Sequence, residues 1–471
     1  MTGVPEIAIL GHPNEGKSSV LSTLAEDDSV RISPTPGETT ACRTFPIIID
    51  GREVLRFTDT PGFQNPSRVL AEMRRLSGEG QDPVQAFRQQ FGDADDLRDD
   101  VELLSPLARG AGIIYVVDGS RPVRNVDRAE MEILRLCGRP RLAVINCKED
   151  QQDELTSWKN EFRKNFNANR LFNAHRATYA ERISLLEALK AIDQDWQAPL
   201  DQVVRAFKAD WQARNTATVE ILLAMIRDNL SYSISDDLAD GHDSAAQEKR
   251  LADRYRQALE DRERQAHQKI RALFKHHIFQ YTLPPQSLLN EELFGERTWS
   301  LLGMSPTQVA IASALGGAVV GAKLDLLTAG LSFGVFTGLG GAAGALGALY
   351  GGRKLTATAR ELLGIRIGGE KLKIGPAASI DLLLILINRG LLFYRHTINW
   401  AHGRRDYQAG QAAADTSDSR GYTSAWPAAR LRVCKSYFTA ITEQRHEAIQ
   451  EHGAQLAAIV LAELDHISQE R

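Results

Sequence analysis

Only four cysteines occur in 471 residues, at positions 42, 137, 147 and 434, and no C-x-x-C pair is among them. That spacing excludes a disulfide framework and a thiolate zinc site, and reads as reduced thiols in the cytosol. Neither sign of charge dominates: 56 Lys and Arg stand against 60 Asp and Glu, a net charge of −4. There is no global pull toward nucleic acid or anionic lipid. No basic, aromatic-rich patch follows the first 200 residues, which disfavours an RNA-binding module, so no nucleic-acid partner is expected. The histidines show no ligand spacing, and His276-His277 reads as a surface pair. The start, Met1-Thr2-Gly3-Val4-Pro5-Glu6, lacks the basic stretch and apolar run of a secretory signal. A cytoplasmic location is expected, with any membrane contact coming from inside the chain.

A chain of this length predicts two or three domains. Residues 1–200 alternate short apolar runs with amphipathic stretches, which predicts an α/β domain with a mostly parallel sheet and helices on both faces. Candidate strands are Glu6–Leu10, Thr44–Asp50, Glu53–Thr58, Gly112–Asp118, Leu142–Asn146 and Arg170–Asn173. Asp50-Gly51-Arg52 predicts a hairpin turn, and so one antiparallel edge pair. The polar stretch between Gly62 and Ala111, with the acidic cluster Asp93–Asp100, reads as an insertion. Residues 201–300 show no strand pattern. They hold one long amphipathic helix over Ala245–His277, capped by Ser244, with Arg262 breaking its apolar stripe. Residues 301–471 form a third, helical unit, in which Asp406–Trp426 reads as a flexible loop and Ala428–Gln469 as helix. The whole C-terminal half is expected to be all-α, with a Gly-rich hydrophobic hairpin.

Gly11-His12-Pro13-Asn14-Glu15-Gly16-Lys17-Ser18 fits G-x-x-x-x-G-K-[ST], and it lies between the strand Ile7–Leu10 and a helix starting near Ser19. Backbone N–H groups of such a loop, together with the helix N-terminus, form a nest for phosphates. Lys17 then reaches the outer phosphates and the Ser18 hydroxyl binds Mg²⁺. Asp59-Thr60-Pro61-Gly62 closes the strand Val54–Thr58. Its carboxylate can hold Mg²⁺ through water, and the Gly62 N–H can sense a γ-phosphate. Ser33–Thr40 has the composition of a first switch loop, and either Thr39 or Thr40 completes the Mg²⁺ shell.

Guanine is read by N-K-x-D, whose aspartate accepts two hydrogen bonds that adenine does not offer. Here Asn146-Cys147-Lys148-Glu149-Asp150 stands at the matching strand end. Cys147 takes the lysine position, Glu149 the aspartate position, and Asp150 is the alternative acceptor one residue later. Ala174, within Asn173-Ala174-His175, is a candidate backbone contact for the base.

With these residues in place, about residues 5–190 resemble the Era/TrmE branch of translation-factor-like GTPases. The resemblance rests on Gly-His-Pro-Asn-Glu-Gly-Lys-Ser-Ser at 11–19, Pro36-Gly37-Glu38-Thr39-Thr40, Asp59–Gly62 and Val116–Pro122. The whole chain resembles a bacterial subgroup in which such a domain is fused to a C-terminal domain of unknown function. The resemblance implies GTP and Mg²⁺ as ligands, and makes Asn14 a candidate K⁺ ligand in which a monovalent cation replaces an arginine finger. Ras-like enzymes place a water-orienting glutamine after the glycine of D-x-x-G. Here that position is Phe63, followed by Gln64, so a low intrinsic rate is expected unless a homodimer or other partner completes the site. The resulting reading is a Mg²⁺-dependent, GTP-hydrolysing switch. The competing reading is a regulatory or scaffold protein that binds nucleotide with negligible hydrolysis or relaxed base selectivity.

Residues 308–322 and 326–352 carry no charge, and glycines recur at 330, 334 and 338, at 340 and 344, and at 347 and 351. The second run exceeds the roughly 20 residues a helix needs to cross a bilayer, and four-residue glycine spacing lets helix backbones approach in lipid. In water each glycine weakens a helix by about 1 kcal/mol relative to alanine. Three readings stay open for 308–352: a hairpin inserted in the inner membrane, a glycine-packed hairpin in a soluble core, and a low-complexity segment. The run Ile380–Arg389 reads as a core helix.

Overall fold

The computed structural model describes residues 4–25, 41–49, 51–77, 81–147, 154–173, 179–237, 244–274, 293, 366–368, 371–398 and 421–469. Thr39, Thr40, Lys148, Glu149, Asp150, Ala174, His175, His276, His277 and the glycine-rich 308–352 lie outside the described residues.

In chain order the first half contains β1 (Glu6–Leu10), α1 (Lys17–Ala25), β2 (Arg43–Ile49), β3 (Arg52–Asp59), α2 (Pro66–Leu76), α3 (Pro83–Phe91) and α4 (Arg98–Ala108). It continues with β4 (Gly112–Asp118), α5 (Asn125–Leu136), β5 (Arg141–Asn146), α6 (Leu155–Asn165), β6 (Ala168–Phe172) and α7 (Tyr179–Lys190). The six strands form one sheet in the order β2-β3-β1-β4-β5-β6, parallel except for the β2–β3 pair joined by the expected hairpin. Alternation along the strands sorts the core into two layers. Ala8, Leu10, Ile113, Tyr115, Val117, Ala143 and Ile145 pack with apolar residues of α2–α6. Ile7, Ile9, Ile114, Val116, Leu142 and Val144 face α1 and α7 instead.

The stretch read as an insertion folds into α2, α3 and α4, which put Val69, Met73, Phe87, Leu103, Leu104 and Leu107 into the first layer. Its acidic cluster is not uniformly solvated, because Asp100 is fully buried.

The expected boundary at 200 falls inside one continuous helix, α8 (Gln194–Ser231). Its 38 residues span roughly 57 Å at 1.5 Å per residue. Trp196, Leu200, Val203 and Val204 complete the second layer under the sheet, whereas Trp211, Leu222, Ile226 and Leu230 enter a separate core. One helix therefore joins the two cores.

That second core is built by α8, α9 (Ser244–Leu273), α10 (Ile380–Ile398), α11 (Ala428–Thr442) and α12 (His446–Gln469). Helix α9 matches the expected amphipathic helix, with Leu251, Tyr255, Ala266 and Ile270 buried. Arg262 does not break the packing, since its guanidinium lies over the Tyr232 ring at 4.0 Å. Helix α10 is buried along nearly its whole length, as a core helix requires. The half is largely helical, with one small addition: β7 (Ile234–Asp237), β8 (Arg366–Gly368) and β9 (Lys371–Ile374) form an antiparallel sheet in the order β7-β9-β8. Part of the segment read as a flexible loop is an ordered 3-10 turn at Tyr422–Ala425, held by Asn388, which donates to Thr423 Oγ1 and accepts from its N–H. Among the described residues, no helix is long and apolar enough to cross a membrane.

A polar pair sits in this core. Arg389 of α10 donates to both oxygens of Glu263 of α9, at 2.6 and 3.0 Å, and each side chain is only 5% exposed. His267 stacks on Phe393 at 3.9 Å, one helical turn from Glu263.

Candidate nucleotide site

Lys17 begins α1 directly after the loop, so the loop's N–H groups and the helix N-terminus converge on one point. Asn14 adopts a left-handed φ of 66°, a conformation asparagine tolerates better than most residues. Gly16 must remain glycine: a Cβ there would lie 2.2 Å from the Asn146 amide nitrogen. Asn146, at the end of β5, is fully buried and donates to the Glu15 carbonyl at 3.1 Å. The strand expected to read the base is thereby tied to the loop expected to hold the phosphates. Gly62 crosses Pro13 so closely that a Cβ would meet its ring at 2.6 Å, which packs the Asp59–Gly62 turn against the loop.

Lys17 is buried, and its ammonium donates to the carbonyls of Gly11 and His12 at 3.1 and 3.0 Å. Burial lowers its pKa, opposed by the nearby carboxylates of Asp59, Glu130 and Glu15. Ser18 donates to Asp59 Oδ2 at 3.1 Å. Burial raises the pKa of Asp59, with Lys17 and the Ser18 hydrogen bond opposing. Its second oxygen, Oδ1, is buried without a hydrogen-bond partner among the described residues. A buried orphan carboxylate oxygen beside a hydroxyl, next to a phosphate nest, is a hard-oxygen donor set suited to Mg²⁺. Ser18 would bind the ion directly and Asp59 would hold it through water. The ion's contribution when bound is charge neutralisation across the phosphate oxygens.

The structure thus brings Gly11–Ser18, Asp59, Gly62 and Asn146 together, with Ser19 buried in the first turn of α1. It also shows contacts that spacing did not reveal. His12 Nδ1 lies 2.8 Å from Glu130 of α5, and Tyr115 donates to the other oxygen of the same carboxylate at 2.8 Å. Glu130 is fully buried, which raises its pKa against the opposing His12 and Tyr115 contacts. Glu15 accepts from the Asp118 N–H and pairs with Arg121 at 2.6 Å, and Arg121 also grips Asp127 at 2.7 Å. Burial pushes Asp127 upward, but hydrogen bonds from Arg121 and Arg124 outweigh it and hold the carboxyl low. Arg121 lies in the loop after β4, within the Val116–Pro122 stretch that carries the resemblance, whereas Asp127 and Glu130, on the helix that follows, have only their position as a sequence signal.

Comparison with known proteins agrees with this architecture. The family model for a domain of unknown function, DUF3482, matches residues 159–462, close to two thirds of the chain. The chain belongs to the DUF3482 family. A second model, described as 50S ribosome-binding GTPase, matches residues 6–147, so this DUF3482 protein is an Era-like P-loop GTPase domain fused to that domain.

The DUF3482 protein is 37% identical to GTPase Der of Agathobacter rectalis over 73 residues, 16% of each chain. It is 26% identical to GTPase Der of Pseudothermotoga lettingae over 142 residues, covering 30% of this chain and 28% of the relative. To the tRNA modification GTPase MnmE of Alkalilimnicola ehrlichii it is 40% identical over 68 residues, 14% of this chain and 15% of the relative. The chain therefore spans less than a third of the length of each of these relatives. Similar solved structures include Era in complex with MgGDPNP and a 16S ribosomal RNA segment, with a TM-score of 0.28 and 15% identity over 58% of this chain and 89% of that one. NFeoB of S. thermophilus bound to GDP.AlF4⁻ and K⁺ has a TM-score of 0.21 and 15% identity over 56% and 91%.

Proposed function

We propose that this protein binds guanine nucleotide with Mg²⁺ at Gly11–Ser18 and Asp59, hydrolyses GTP slowly, and uses the two nucleotide states as a switch. The observation that carries this reading is the buried orphan oxygen of Asp59 beside the Ser18 hydroxyl, at the mouth of a glycine-gated phosphate nest. Thr39 or Thr40 would complete the ion's shell, and Asn146, Lys148, Glu149 and Ala174 would surround the base. The slow rate is supported by the residues after Gly62. Phe63 is fully buried in the core, and the Gln64 carboxamide donates back to the Gly62 carbonyl at 3.2 Å. Neither side chain is placed to orient a water molecule, so a partner or a second copy would accelerate turnover. Phosphate release from GTP should stop on chelation of Mg²⁺, and a rate indifferent to chelation would contradict this assignment.

Asn14 is the proposed K⁺ ligand of the same site. The support is its place in the phosphate loop, between Pro13 and Glu15, with a left-handed φ of 66°. Exchanging K⁺ for Na⁺ should slow hydrolysis by roughly tenfold or more, and Asn14→Ala should remove that difference. Equal rates in the two salts would exclude the role. Residues 308–352 are the proposed membrane contact, supported by their uncharged, glycine-spaced composition. Alkaline extraction of membranes should leave the chain in the membrane fraction, whereas release would remove this part of the proposal.

A further inference from the structure

Helix α4 touches the turn after Gly62 and the entry of β2. Asp100, in its first turn and fully buried, accepts from the backbone N–H of Gln64 at 3.0 Å and of Asn65 at 3.1 Å, and from the Asn65 side chain at 3.3 Å. These are the residues immediately following Phe63 and Gly62. Two positions further along, and so on roughly the opposite flank of the helix, Glu102 accepts from the Cys42 N–H at 2.9 Å. Cys42 lies two residues after Thr40 and leads into β2.

The second tether has a cause in the sequence. Pro106 has no N–H, so the Glu102 carbonyl four residues earlier lacks its donor within the helix. The Cys42 thiol supplies one, at 3.2 Å from that carbonyl oxygen. Cys42 is thus held at two points on one residue of α4. The apolar side of the same helix is fixed by Leu103, Leu104 and Leu107 in the sheet's core, so pulling on either tether acts on a helix seated in the domain.

We propose that α4 is a latch, with Asp100 and Glu102 as positioning residues that couple the turn after Gly62 to the entry of β2. The proposal rests on the nucleotide reading above. Neither carboxylate touches the phosphate loop, so losing one tether should affect hydrolysis more than binding.

The test is amide hydrogen exchange on the full chain, without nucleotide, with Mg-GDP, and with a Mg-bound non-hydrolysable GTP analogue. Exchange over residues 11–18 should slow with both nucleotides, whereas exchange over 98–108 should slow further only with the GTP analogue. Asp100→Asn should abolish that difference over 98–108, and Cys42→Ala, which loses the thiol bond but keeps the N–H bond to Glu102, should at least halve it. Each should also lower kcat about tenfold, with KM within about twofold, as expected for losing hydrogen bonds to a buried carboxylate or carbonyl. Cys42→Ser keeps a donor and should behave as wild type. If Asp100→Asn does not fold, the Cys42→Ala and Cys42→Ser pair decides alone, because that side chain is only partly buried. Identical exchange over 98–108 with both nucleotides in wild type, or an unchanged kcat in folded Asp100→Asn or Cys42→Ala, would overturn the latch while leaving the nucleotide site standing. No slowing at 11–18 with either nucleotide would overturn the site and the latch together.

Discussion

Replacing Lys17 with methionine should lower GTP turnover by at least about a hundredfold and abolish the rise in melting temperature that Mg-GTP produces. The chain places this ammonium where no structural need explains its cost. It is buried, its pKa is lowered by that burial, and its neutral partners are the carbonyls of Gly11 and His12. A lysine used only for packing would not be held in a nest of N–H groups that themselves favour an anion. Phosphate oxygens would add direct anionic partners to the nearby carboxylates of Asp59, Glu130 and Glu15, and Lys17 would exchange carbonyl contacts for them. Methionine keeps the length and removes the charge. Melting curves with and without Mg-GTP give the binding readout independently of turnover. A variant that still gains stability from Mg-GTP, with turnover within about tenfold of wild type, would show that Lys17 does not hold the outer phosphates.

In the helical half the largest effect should come from Arg389. Arg389→Met should destabilise the protein by about 3–5 kcal/mol, because it leaves the Glu263 carboxylate buried without its bidentate partner. Replacing both residues together, as Glu263→Leu with Arg389→Leu, should restore most of that loss, because a buried pair of this kind contributes little beyond an apolar substitute. Denaturant unfolding followed by helical circular dichroism measures both variants, and equal destabilisation by the single and the double change would show that an unpaired Glu263 is not what the single change costs.

Acid should weaken the same core. Burial acts to raise Glu263, but Arg389 and His267 outweigh it and hold its pKa below the usual range. Its contribution is therefore full at neutral pH and is lost as pH falls through that lowered value. Burial pushes His267 down to about 4, while in the unfolded chain it titrates near 6.5. The unfolded state takes up the proton first, so stability declines as pH falls from about 6.5 toward 4. His267→Phe, which can keep the stacking on Phe393, should flatten that part of the pH profile.

Much of the site was legible because it is local. The phosphate loop, the strand before it and the helix after it occupy one short stretch, and Asp59–Gly62 closes a strand with clear alternation. Asn146 was legible for the same reason, at the end of an apolar strand. The supporting partners were not, because each lies far away in sequence. His12 meets Glu130 across 118 positions, and Glu15 meets Arg121 across 106. No spacing rule connects such pairs.

Asp100 carries a signal in its spacing. It sits among Asp93, Asp95, Asp96 and Asp99 and looks like one more solvated charge. Yet it is three residues after Leu97 and three and four before Leu103 and Leu104, which places it on the buried face of its helix. In the C-terminal half, β7 reads as Ile-Ser-Asp-Asp, too short and polar for alternation to register, and its partner β9 lies more than 130 residues later. The continuity of α8 through position 200 was hidden because its apolar stripe serves two different cores in turn.

The proposed cradle would hold a guanine nucleotide even though Cys147 and Glu149 replace the usual lysine and aspartate. Equilibrium binding of Mg-GTP and Mg-ATP to the purified full chain, compared between wild type and Glu149→Asp, tests it most directly. Wild type should prefer GTP, and Glu149→Asp should keep or sharpen the preference. Equal affinity for the two nucleotides, or binding of neither, would contradict it.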